Sequence, residues 1–204
     1  MCFDRIWKLY FCGRNGCFIM FTLMAKLLMS KQVKFSDGRL ELMGIRDSFT
    51  PGVTFVEIQK ELMKSGRQHL IYSSAKKSGY NWFKYMSKVY SGMKQTEAVK
   101  WGVDLMSLSG WGIPTLEKLD LEKKITIFNL KNSTVAKLYG KSSTPVDHFF
   151  RGLTAGGGSY ILNEDLDCVE THCLSKGDGF CRFLVAPINL LEVSSKSLRD
   201  DFGR

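Results

Sequence analysis

The sequence predicts an α+β fold, an antiparallel β-sheet packed against several helices. Three observations carry this. Short apolar or alternating runs occur at 124–130, 167–173 and 179–187, the last two joined by the turn-forming segment SKGDG. Longer stretches at 53–65, 67–91 and 95–109 repeat apolar residues every three or four positions, as helices with one buried face do. Asp37-Gly38 sits between two short apolar runs at 33–45, a strong hairpin signal.

The composition suits a folded chain. The 204 residues are 44% hydrophobic and 12% aromatic, which excludes a mainly disordered protein. With 4 Pro and no glycine period, collagen-like and proline-rich readings fail as well. The net charge of +9 permits an anionic partner such as nucleic acid or an acidic membrane surface, but a solvated basic surface accounts for it equally. A nucleic-acid partner is not favoured, because no recognisable DNA-binding motif is present.

From the amino terminus, residues 1–17 read as an extension. The segment CFIMFTLMAKLLMS at 17–30 is apolar but short and is interrupted by Lys26. A spanning helix needs about 20 apolar residues, and no small-residue cleavage site follows. A buried amphipathic helix over 18–30 is expected instead, with no membrane span and a cytoplasmic location where thiols stay reduced. The 6 Cys are then free thiols or metal ligands, and Cys12-x4-Cys17 reads as reduced surface thiols.

The main domain is expected over 18–187. After the hairpin, Pro51-Gly52 turns the chain into the helix at 53–65, which Gly66 ends. The helix at 67–91 buries a stripe of Tyr72, Ala75, Gly79, Trp82, Met86 and Tyr90, and its lysines lie largely off that stripe. The next helix, at 95–109, places Ala98, Trp101, Leu105 and Leu108 on one face until GWGIP breaks it. Residues 116–130 follow as two strands and 133–140 as a short helical turn. Thr144-Pro145-Val146-Asp147 predicts a helix start, with Thr144 as cap and Asp147 completing a capping box. That helix, running to about 162, carries Gly152, Gly156, Gly157 and Gly158. Each helical Gly costs about 1 kcal/mol against Ala, so another helix or a ligand must approach its backbone closely. Residues 188–204 read as a tail.

The sharpest chemical pattern is Glu170-x2-Cys173-x7-Cys181. Two readings stand for it. Free cysteines bury well, so it can be a pair of half-buried thiols in a hairpin. Alternatively the hairpin brings both sulfurs and the Glu170 carboxylate onto a zinc ion, with His148 or Asp147 as the fourth ligand. Phosphate-loop, dinucleotide and Ser-His-Asp patterns are absent or unsupported.

Residues 149–185, FFRGLTAGGGSYILNEDLDCVETHCLSKGDGFCRFLV, resemble the 4-vinyl reductase domain family through Gly152 and Gly156, Glu170 and Cys173, Gly177 and Asp178, and Cys181 with Phe183. The upstream run LLMSKQVKFSDGRLELMGIRDSFTP and HLIYSSAKKSGYNW are similar to archaeal members, so the resemblance covers roughly residues 20–187. It implies a small-molecule-binding or sensory domain for a small hydrophobic ligand, in a fold shared with dimeric vesicle-tethering subunits, and hence a homodimer. It also implies a structural zinc. Related aromatic-hydrocarbon sensors hold theirs with Cys, Glu, Cys and Cys; three of these match Glu170, Cys173 and Cys181. The remaining Cys falls on Asp147, and His148, the better zinc ligand beside thiolates, is the expected fourth member. The pocket is expected near the glycine-rich helix, lined by Trp82, Trp101, Phe149 and Tyr160. No catalytic residue is identified; a reductase acting on a vinyl group is the alternative activity, although no flavin or nicotinamide motif is present.

Overall fold

A computed structural model describes residues 29, 32–88 and 91–191. The expected extension, the rest of the helix at 18–30, Cys12, Cys17, Tyr90 and the tail beyond 191 lie outside the described residues. The chain divides into two compact units, Met1–Ser48 and Phe49–Arg204.

In the first unit, β1 (Val33–Ser36), β2 (Arg39–Leu42) and β3 (Ile45–Asp47) form a small antiparallel sheet in that order. Asp37 and Gly38 both take positive φ, 50° and 68°, as a two-residue hairpin turn requires. A second tight turn uses Met43 and Gly44 in the same way. Methionine carries no turn signal, so β3 was not legible as a separate strand.

The second unit begins with three helices, α1 (Gly52–Lys64), α2 (Gln68–Met86) and α3 (Gln95–Leu108). Strands β4 (Ile113–Asp120) and β5 (Ile125–Lys131) follow, then a short helix α4 (Thr134–Tyr139) and a longer one, α5 (His148–Leu162). Strands β6 (Leu166–His172) and β7 (Cys181–Pro187) close the unit, joined by a turn that includes the 3-10 segment Leu174–Lys176. The four strands pair antiparallel in the order β4-β5-β7-β6. The α+β expectation holds. Alternation on β5 buries Thr126, Phe128 and Leu130 on one face. There Phe128, Phe150 and Phe183 meet with ring centroids 5.0–5.9 Å apart and seal the sheet against α5.

The helix expected from residue 144 starts instead at His148. Asp147 occupies the cap position, yet its side chain makes no cap hydrogen bond. Its carboxylate is taken by Ser133, so the capping-box reading of this segment does not hold.

The glycines of α5 are explained by helix packing. A Cβ on Gly152 would overlap the Tyr72 carbonyl, and one on Gly156 the Lys76 carbonyl, both on α2. A Cβ on Gly79 of α2 would overlap the Leu153 carbonyl in turn. The two backbones therefore touch, and the dispersion gained along this seam offsets the poor helix propensity of glycine. Gly158 differs: its Cβ would meet only the side-chain tips of Val185 and Leu166, at 3.3 and 3.4 Å. We expect Gly156→Ala to lose about 2–4 kcal/mol by forcing α2 and α5 apart. Gly158→Ala should stay within about 1 kcal/mol of the parent, since the gain in helix propensity offsets the crowding. Urea denaturation followed by circular dichroism checks both; equal effects would refute the close-crossing account.

Candidate functional site

Two strands and a helix start converge at one end of the sheet. Glu170 lies near the end of β6, Cys173 just beyond it, Cys181 at the start of β7, and Asp147 at the cap of α5. Residues 170 and 173 are three apart and would face opposite sides of a regular strand. A register shift between Glu170 and His172 resolves this. The extra residue leaves Thr171 and His172 both exposed and returns Cys173 to the buried side with Glu170. Gly177, at φ 102°, then lets the chain reverse so that Cys181 comes back beside Cys173.

The result is a buried group of two thiols and two carboxyls. One ligand atom from each of Asp147, Glu170, Cys173 and Cys181 lies within 4.8 Å of all the others. Both cysteines are free thiols and fully buried. Supporting hydrogen bonds fix the arrangement. Ser133 Oγ donates to the Asp147 carboxylate at 2.9 and 3.1 Å to its two oxygens. The Asp147 amide donates to Glu170 Oε2 at 3.1 Å, and the Leu174 amide to Cys181 Sγ at 3.3 Å. The Asp178 carboxylate accepts from the Cys173 amide at 2.7 Å. Glu170 Oε1 is buried and has no hydrogen-bond partner.

The electrostatics come from crowding acidic groups in a dry site. Burial, reinforced by Asp147 and Cys173, pushes the Glu170 carboxyl up to about 10. Burial likewise raises Asp147, to about 6. The hydrogen bond from Cys181 holds Cys173 down to about 5, while the Cys181 thiol is pushed up. Such a group resists carrying its full negative charge by itself, and a divalent cation removes that resistance. The donor set fits zinc: thiolate and carboxylate are both ordinary ligands, and a shell of four protein groups leaves no open position. The lone Glu170 Oε1 is the kind of orphaned buried acceptor that an ion would satisfy.

His148, expected as the fourth ligand, is not in this group. Adjacent residues at a helix start point about 100° apart, so Asp147 and His148 cannot both face the thiols. Asp147 is turned inward by Ser133. His148 is buried elsewhere, with Nδ1 at 3.1 Å from Arg151 Nη1; a guanidinium only donates, so Nδ1 accepts. Burial and the Arg151 charge hold this imidazole down to about 3, so it is neutral.

The four aromatics expected to line one pocket fall into three groups. Trp82 stacks on Trp101 at 6.4 Å, with Phe83 edge-on to both. Phe149 packs with Phe55 and Trp111. Tyr160 meets Tyr80 edge-on at 5.2 Å and lines a cleft of about 260 Å³ with Met93, Ala98 and Ile161. A larger open cleft, about 680 Å³, runs between α2 and the segment from the end of α5 into β6. At its base Lys76 bridges Asp165 and Asp167 at 2.8 and 2.9 Å. Neither cleft is lined by Trp82, Trp101 or Phe149.

Sequence reasoning missed three buried residues that hold this frame. Ser133 was visible only as a residue of cap type before a short helix. Arg151 is 1% exposed, sits over the Tyr72 ring and donates to the Cys168 carbonyl at 3.0 Å. Tyr72 donates to Asp167 at 2.8 Å and accepts from the Cys168 amide at 3.0 Å. No local motif marks a buried arginine or a tyrosine hydroxyl bridging two elements.

Antiparallel strands, a glycine-striped helix and a thiol–carboxyl centre at their junction define a class of small α+β domain. Residues 126–187 match the model of the vinyl-4-reductase domain, and the chain belongs to that family through this segment. Over 121 residues, 55% of the chain, it is 26% identical to the phenol regulator MopR of Acinetobacter guillouiae, of whose length it spans 22%. The phenol-responsive sensory domain of the transcription activator PoxR, solved with phenol, shares the fold with a TM-score of 0.74 at 17% identity, covering 93% of this chain and 98% of that one. A vinyl-4-reductase family protein from Methanocaldococcus jannaschii aligns with a TM-score of 0.46 at 16% identity, over 70% of this chain and 84% of that one.

Replacing Tyr72 by Phe should cost about 2–3 kcal/mol in urea denaturation, because the Cys168 amide loses its acceptor and Asp167 a donor in a buried setting. A loss below about 0.5 kcal/mol would show that this bridge does not hold β6 to α2.

Proposed function

We propose that this chain is a sensory domain that binds a small hydrophobic molecule and is braced by a structural zinc. The observation that carries the reading is the convergence of four buried donors, Asp147, Glu170, Cys173 and Cys181, at the start of α5. Zinc there supplies charge neutralisation and a rigid joint; with four protein ligands it has no open position for a reacting group. Asp147 and Glu170 would bind through oxygen, Cys173 and Cys181 through sulfur, and together they would fix the start of α5 to the β6–β7 turn.

The sensory part of the reading is supported by the shared fold with the PoxR sensory domain and by the relationship to MopR, the first solved with phenol and the second named a phenol regulator. In this chain α5 runs from the centre to aromatic groups suited to an apolar ligand. A Cβ on Gly157 or on Gly102 of α3 would meet the Phe83 ring at 2.5 and 2.9 Å, so that ring fills the space between α5 and α3. With Trp82 and Trp101 beside it, this is the wall we assign to the ligand, Tyr160 and Tyr80 lying on the same helix pair. Few polar groups there favour small aromatic molecules over sugars or nucleotides.

Native mass spectrometry with elemental analysis, on protein purified without chelator, should find about one zinc per chain; its subunit count checks the expected homodimer. Cys173→Ser or Cys181→Ser should cut the zinc content at least tenfold and lower the melting temperature by several degrees. Phenol should quench tryptophan fluorescence saturably. Absence of stoichiometric zinc would overturn the brace, and unsaturable quenching by phenol, with a flat response to toluene and benzene, would overturn the ligand assignment.

A further inference from the structure

Ser133 touches the centre without belonging to it. It is 1% exposed, and its hydroxyl lies 2.9 and 3.1 Å from the two oxygens of Asp147. The same oxygen accepts the Ala136 amide at 3.1 Å, which caps α4. A hydroxyl has one proton and two lone pairs. The carboxylate takes the proton and the helix amide a lone pair, so one atom serves both the aim of Asp147 and the first turn of α4.

The other side of that turn is tied to a second ligand of the centre. Ser175, two residues after Cys173 in the 3-10 turn, donates to the Ala136 carbonyl at 2.9 Å. Ala136 therefore has its N–H held from the Asp147 side and its C=O from the Cys173 side. α4 in turn supports α1: a Cβ on Gly52 would meet Thr134 and Leu138 at 2.9 and 3.0 Å, so the two helices are in close contact.

We infer that Ser133 is the positioning residue of the metal centre: its hydroxyl aims the Asp147 carboxylate at the thiolates and links occupancy of the centre to the first turn of α4. Asp147 stands at the cap of α5 but makes no cap bond, so Ser133 is the group that orients it. The inference rests on the metal reading above and adds to it a residue outside the donor set and a route from the ion to α4. Groups that orient a ligand in this way change metal affinity by about 10–100-fold when removed.

The test uses the full chain and three variants. Ser133→Ala removes the hydroxyl, Ser133→Gly removes it while keeping a residue nearly as good at a helix cap, and Ser133→Thr keeps it. Zinc affinity is read by competition with a chromophoric chelator, the ligand field by the visible spectrum of the cobalt-substituted protein, and α4 by amide exchange at Ala136 with and without zinc. The expected result is a zinc affinity about 10–100-fold weaker and an altered cobalt spectrum in the alanine and glycine variants. The threonine variant should stay within about threefold of the parent. Zinc should slow exchange at Ala136 in the parent and not in the glycine variant. Parental affinity and spectrum in a folded glycine variant would overturn the role of Ser133 and leave the metal reading standing. A parent chain that binds no zinc would overturn both.

Discussion

Four acidic or thiol side chains packed out of water cannot all be charged unless something positive joins them. This constraint organises the whole end of the molecule where α5 begins. Burial alone drives Glu170 and Asp147 toward their neutral forms. The local network supplies few donors: one hydroxyl to Asp147 and one amide each to Glu170 and Cys181. A core of this kind, left with an unsatisfied carboxylate oxygen, is weak on its own. With a cation at its middle it becomes the firmest joint in the domain, because its donors come from three separate segments of chain. Three elements depend on that joint, since α5, β6 and β7 all start or end there.

The joint explains how a costly helix is tolerated. α5 carries four glycines and crosses α2 so closely that no side chain fits at Gly152 or Gly156. Close crossing gives contact but little lateral grip, and two glycine-lined helices can slide. Two features oppose sliding. Arg151, next to Gly152, is buried over Tyr72 of α2 and donates to the Cys168 carbonyl of β6. The start of α5 is tied through Asp147 to Glu170 on β6. The seam is thus fixed at its beginning, and its far end presents Gly157 to Phe83 and Tyr160 to Tyr80.

Much of this was legible in the sequence, and the limits are physical. Helix and strand periods placed α1, α2, α3 and β5 to within a few residues, because their buried faces repeat. The glycines announced a close approach, though not whether helix or ligand made it. Glu170, Cys173 and Cys181 were readable from spacing and family resemblance. The fourth member was not. Choosing His148 over Asp147 relied on the better affinity of imidazole for zinc, whereas the structure decides by direction. Ser133, fourteen residues upstream, turns Asp147 inward, and Arg151 holds His148 away. A contact between residues as distant as Ser133 and Asp147 leaves no local pattern. The β6 bulge was hidden for a similar reason, since nothing in Glu170-Thr171-His172-Cys173 shows that the strand gains a residue there. The aromatics were found as residues but not as a wall, because helical spacing gives a face and not its neighbour.

An aspartate in place of a third thiolate also changes what the centre can do. Sulfur donors hold zinc tightly and suit soft ions, whereas oxygen donors are harder and exchange more readily. A centre with two of each is therefore more dependent on the groups that orient its carboxylates than one built mainly of thiolates. A thiolate needs little beyond access to the ion. A carboxylate has two oxygens and a free torsion, and has to be aimed. In this chain each carboxylate has one partner that does so: the Asp147 amide fixes Glu170, and Ser133 fixes Asp147. Because Ser133 also caps α4, aiming the ligand and forming the helix become one event, and the aspartate at position 147 ties the centre to a helix it would otherwise only neighbour.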